Sequence, residues 1–150
     1  MDNSVATQAE NLDLARHALS LAKSILNNDI GVVRDKVYVA GRAEEALLQD
    51  AQQDCYDLAM LSADVCSAQC LVDFAETQFE SSLVCQLTLK FVAEKVRWVM
   101  AAQFAGSSPL GRSSKAAEAI AAQTQLQQFL DEHGARDSYA DLGRLLSEAE

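Results

Sequence analysis

A chain of 150 residues, 49% of them hydrophobic, is long enough to close one domain around a single core and needs no second. Its 22 acidic side chains against 12 basic ones leave a formal charge of −10, a field that repels phosphate backbones and argues against direct nucleic-acid binding; the same field suits solubility, a basic partner, or an acidic inhibitor that mimics nucleic acid. The N-terminus lacks the basic and apolar regions of a secretory signal, and polar residues recur too often for a run of about 20 apolar ones, so the expectation is a soluble cytoplasmic protein without membrane association.

The first helix is predicted from Ser4, whose hydroxyl can cap free amides, to about Asn27. Val5, Leu12, Ala15, Leu19, Ala22 and Leu26 follow the three-four spacing of a helix seam, and Leu14, Ala18, Leu21 and Ile25 broaden it. The run Asn27 to Gly31 reads as a turn. Val32 to Val39 has strand character, but Val33, Val37, Ala40, Leu47 and Ala51 keep helical spacing and no second strand offers itself, so a second helix is predicted, with a kink or close crossing at Gly41.

From Arg42 to Ala105 there is neither glycine nor proline. As one helix this stretch would run about 96 Å, against a radius of gyration near ~15 Å for a domain of this size, so it must fold back or find a partner. Leu58, Leu61, Val65, Ala68, Val72, Ala75 and Phe79 alternate steps of three and four along a third helix, with Asp73, Glu76 and Glu80 as a solvated acidic edge. A break is predicted at Glu80 to Ser82, where serine can cap. The fourth helix reads Leu83, Leu87, Phe91, Val92, Val96, Val99 and Met100 inward and Gln86, Lys90, Glu94 and Arg97 outward.

Residues 105–114, AGSSPLGRSS, form a loop that holds the chain's single proline. A helix from Lys115 to His133 follows, capped by Ser114 and stopped by Gly134, with Leu126, Phe129 and Leu130 on its apolar edge. Ser138 and Asp141 suit the start of a short last helix with Leu142, Leu145 and Leu146 inward.

Cys55, Cys66, Cys70 and Cys85 are expected as reduced, metal-free thiols that pack like alanine, because structural zinc uses closer knuckles and an i to i+4 disulfide within one helix is badly oriented. No cofactor is implied. Neither histidine has the glutamate three residues earlier that di-iron bundles use, and His133 before Gly134 suits a cation at a helix C-terminus. A small acidic helical bundle with His17 on one helix resembles the histidine phosphotransfer domains in plan, which would make His17 a phosphoacceptor. That family follows its histidine with a lysine and a glycine, and here Ser20 and Leu21 stand at those places. The long Ala-rich helices also resemble those of acyl-CoA dehydrogenases, without a shared motif, and Gly106 to Gly111 lacks the lysine of a phosphate loop.

Together these features predict an all-α fold, one domain over 1–150, arranged as an antiparallel bundle of four main helices with one or two extra short ones. The leading functional expectation is a cytoplasmic adaptor, more an interaction protein than an enzyme, self-associating as a homodimer through Leu61, Val65, Val72 and Phe79 or through Leu12, Leu19 and Leu26. The alternative is a small-molecule-binding or enzymatic bundle with an aromatic pocket of Phe74, Phe79, Phe91 and Trp98, Trp98 lying off the main seam. A deep cavity would favour the second, a flat apolar patch the first.

Overall fold

The computed structural model describes residues 3–78, 80–104, 118, 121–134 and 138–148. Among the described residues six helices pack on one another: α1 (Asn3–Val37), α2 (Glu45–Asp50), α3 (Gln52–Thr77), α4 (Ser82–Phe104), α5 (Thr124–Gly134) and α6 (Ser138–Glu148). The fold is all-α. Its one sheet among the described residues is a two-residue hairpin, β1 (Tyr38–Val39) against β2 (Arg42–Ala43), between α1 and α2. The main packing is of α1 on α3 and α4, α3 on α4, and α4 on α5.

The apolar stripe of α1 is buried as its spacing requires: Leu12, Ala15, Ala18, Leu19, Ala22, Ile25 and Leu26 are all in the core. The turn expected at Asn27 to Gly31 is not there. The helix runs on through Gly31 to Val37, because Asp29, Val33 and Val37 continue the buried seam for three more turns. Burial of those side chains outweighs the cost of about 1 kcal/mol for a helical glycine.

The second helix expected from Val32 to Ala51 is likewise corrected. The chain leaves α1 in a tight hairpin whose two corner residues, Ala40 (φ 49°) and Gly41 (φ 81°), both take left-handed angles. Two such residues between paired strands make the turn that matches strand twist, so Gly41 serves a turn and not a helix kink. The Glu44 amide donates to the Val37 carbonyl at 2.8 Å and closes the excursion. Of the expected stretch, Val32 to Val37 is helical as the end of α1 and Glu45–Asp50 as the short α2, and buried Ala51 joins α2 to α3.

Leu58, Val65, Ala68, Val72 and Ala75 of α3 are buried as read, with Leu61 packed beside them; the side chain of Phe79 lies outside the described residues. The break before α4 falls where expected. α3 ends at Thr77, and the Ser81 hydroxyl accepts the Val84 amide at 3.3 Å, a cap on the first turn of α4.

On α4 the expected face is rotated. Val92, Val96 and Val99 are buried, but Leu87 is exposed and Leu83 half-exposed, while Cys85, Thr88, Leu89, Lys90 and Gln103 point inward. Lys90, expected on the polar stripe, is buried toward α5, and that burial lowers its pKa. Asp73 and Glu76 are not a free acidic edge: Arg16 of α1 bonds both, Asp73 at 3.3 Å. The helix expected from Lys115 to His133 is interrupted at Gln123, whose carbonyl accepts the Gln127 amide at 3.0 Å as α5 begins.

Gly134 ends α5 as read, and the Arg97 guanidinium donates to its carbonyl at 3.1 Å, in space that a Cβ there would block. Leu126, Phe129 and Leu130 anchor α5, whereas Leu146 of α6 is exposed and not inward. The loop at 105–114, the cap at Ser114 and the side chains of Val5, Leu142 and Leu145 lie outside the described residues.

Candidate interaction surface

The seam Leu58, Val65, Val72 points α3 at the core, so a helix turning about 100° per residue sends the row Tyr56, Ala59, Ala63, Cys66, Cys70 and Phe74 to the opposite side. All six are exposed, as are Met60 and Ser67 beside them. None carries a charge. α3 is thus apolar on both faces, and by length and composition it is the one described helix apolar enough to cross a membrane, with a mean hydropathy of 1.4 over its best window.

Paired charges border this strip on both flanks. Toward α1 stand the Arg16–Asp73 pair and the Lys23 ammonium, which donates to the Gln69 side-chain oxygen at 2.9 Å. Toward α4, Lys95 meets Asp64 at 3.2 Å, with only a tenth of its side chain exposed. The Lys95 ammonium also lies 3.7 Å from the centre of the Trp98 ring and 5.0 Å from that of Phe91. Such a cation held over two rings fixes the aromatic planes along the α3–α4 groove.

Of the four aromatic residues singled out in the sequence, Phe74 on α3 and Trp98 on α4 stand half-exposed, 52% and 47%, and Phe91 is partly buried. Phe79 is outside the described residues. The described clefts are lined by other residues. Met60, 50% exposed, accompanies Phe74 on the outer face of α3, and Leu87, 44% exposed, stands on α4. Reading one seam per helix missed the outer face of α3; the signal was that α3 has no polar side of its own.

His17 lies elsewhere, exposed on α1, with its Nε2 3.2 Å from the Gln123 side-chain oxygen. It edges an open cleft of about 580 Å³ between α1 and α5 that also holds Glu10, Asp13, Phe129 and His133. His133 tilts against the Phe129 ring, centroids 5.0 Å apart. Burial lowers the His133 pKa, aided by the Lys90 charge and opposed by Glu132, so the neutral ring is favoured and the expected helix-end cation is corrected.

All four cysteines are free thiols, but Cys66 and Cys70 are exposed on the outer face of α3 and do not pack like core alanines; only Cys85 is fully buried, which raises its pKa. No group of three or more His, Cys, Asp or Glu among the described residues is placed to hold a metal ion.

The deepest polar contact is inside. Asp29 of α1 and Gln103 of α4 are both buried, and the Gln103 amide donates to Asp29 Oδ2 at 2.5 Å. Burial raises the Asp29 pKa, while bonds from Gln103 and Asn28 act against that rise. Comparison with known proteins returns no match to a family model, a curated protein or a solved structure.

Proposed function

We propose that this protein is a cytoplasmic acidic interaction protein that works through helix faces, associates with itself as a homodimer, and has no catalytic centre. In this reading α1, α3, α4 and α5 form an antiparallel four-helix bundle with α2 and α6 as the extra short helices. The observation that supports it is the uncharged outer face of α3, where Tyr56, Met60 and Phe74 are each at least half exposed on a chain of net charge −10. Large apolar side chains grouped on one side of a soluble fold mark a surface that another molecule covers.

The association surface differs from the seams considered first. Leu12, Leu19, Val65 and Val72 are consumed by the chain's own core, so a partner can meet only the outward residues. Light scattering of the purified chain at micromolar concentration is the test. The expected mass is twice the chain's 16.2 kDa, falling to the single-chain mass in the double variant Met60→Glu, Phe74→Glu. A single-chain mass for the unaltered protein would overturn the self-association.

A further inference from the structure

The outer face of α3 is self-complementary when run against a copy of itself. Positions placed symmetrically about Val65 match in size: Tyr56 with Phe74, which also share one lateral position, and Ala63 with Ser67. Two copies of α3 lying antiparallel across a two-fold axis near Val65 would therefore set a large ring beside a large ring at each end and small residues against small ones at the centre. An isologous interface requires this property, since each contact is made twice with the partners exchanged.

We propose that the occupant of this face is a second copy of the chain, with α3 packed antiparallel on the partner's α3 about a two-fold axis passing beside Cys66. This rests on the self-association reading above and gives it a geometry.

Charge selects the occupant. Each chain carries a formal −10, so two copies repel unless they meet where neither presents an acid. The strip from Tyr56 to Phe74, about 27 Å long, is such a place. Of its bordering acids, Asp64 and Asp73 are paired with Lys95 and Arg16 of the same chain, and Asp57 accepts a hydrogen bond from Gln53 at 2.8 Å. A basic partner would gain nothing on a surface that lacks carboxylates.

The centre is equally prepared. The Ser67 hydroxyl already donates to the Ala63 carbonyl at 2.8 Å, so covering it strands no donor. Ala59, Ala63, Cys66 and Ser67 leave room for the helix axes to close to about 8 Å, the short end of the usual range. With the Leu87, Phe91 and Trp98 flank, the face is two helices wide, roughly 20 Å by 27 Å or ~540 Å² per chain in projection, at the lower bound of a specific interface.

At that spacing the two Cys66 Cα atoms lie roughly 6 Å apart, within disulfide range, whereas the paired Cys70 atoms are separated by about 15 Å along the axis. The test is oxidation of the unaltered dimer with diamide, which takes up the two protons and two electrons released as two thiols join. The expected product is a covalent dimer on non-reducing gels, lost in Cys66→Ser and retained in Cys70→Ser. Ala63→Arg, which sets two guanidinium groups at the axis, should give the single-chain mass with an unchanged helical circular dichroism spectrum.

A dimer by light scattering that forms no Cys66 disulfide and survives Ala63→Arg would overturn this geometry and leave self-association standing. A single-chain mass would remove both. A monomer that sediments with phosphatidylcholine vesicles, and no longer does so after Ala63→Arg, would overturn the proposal by making α3 a lipid-facing surface.

Discussion

Two regions of this molecule reverse the usual placement of polar and apolar groups. Between α1 and α4 a carboxylate and a carboxamide, Asp29 and Gln103, are sealed from solvent, while on the outer side of α3 a methionine, a tyrosine and a phenylalanine stand in it. The inner exception is met in part within the chain, because the Gln103 amide bonds Asp29, while Gln103 Oε1 has no partner among the described residues. The outer one has no such resolution among the described residues. The contrast teaches that burial here follows helix phase, and that a misplaced polar group can be met only from inside the chain while a misplaced apolar one can wait for a partner outside.

Removing the inner partner is the most severe challenge to that contrast. Gln103→Ala withdraws the donor from a buried carboxylate, and a loss of about 2–4 kcal/mol is expected from the urea midpoint at neutral pH. A loss below 0.5 kcal/mol, on the order of a surface substitution, would mean the pair is not sealed.

Asp29→Asn probes the same place by charge alone. Burial holds the folded pKa of Asp29 above its ordinary value, so its contribution is full below the ordinary carboxylate range and is lost as pH rises through the raised value. The variant should abolish that decline and be the more stable protein at pH 7, by about 1 kcal/mol. His133 acts in the opposite sense: its lowered pKa gives stability that is present above the ordinary imidazole value and lost as pH falls through the lowered one. Melting curves across pH 4–8 on both proteins separate the two slopes, since the His133 decline should persist in Asp29→Asn.

Thr88 sharpens the inner half further, because its hydroxyl is buried with no hydrogen-bond partner among the described residues. Thr88→Val keeps the shape and removes the stranded group, and a gain of up to about 1 kcal/mol is expected in the same titration. The smallest effect belongs to the outer face. Met60→Ser should move the stability of the unassociated chain by no more than about 0.5 kcal/mol, measured by dilute circular dichroism melts, while weakening association.

Much of the fold was legible from residue order. The three-four alternation from Leu58 to Ala75 and the capping serine at the α3–α4 break are local signals, and local physics decides them. Elsewhere distant packing prevailed. Gly31 could be read as a stop only until Val33 and Val37 found the core, and Ala40 gave no sign of the left-handed angle that its turn demands. The α4 face was misjudged because a spacing argument sends lysine outward and leaves threonine and glutamine unassigned, whereas Lys90, Thr88 and Gln103 are inside.

The candidate surface was half legible. Trp98 stands off the seam, as its position indicated, but Ala63, Cys66, Ser67 and Cys70 are small residues that announce neither core nor surface. Their joint lack of charge has meaning only once α3 has an inside and an outside.

The hairpin at Ala40–Gly41 has a consequence for how the chain can be rebuilt. Every residue from Tyr38 to Asp50 is exposed, and the corner projects from the end of α1 with open space around Gly41. The buried seam resumes only at Ala51. The polypeptide therefore crosses this interval as a detachable handle: a tag, a fluorophore-bearing loop or a new pair of termini placed between Ala40 and Gly41 meets no core side chain, and the helices on either side keep every contact that holds them.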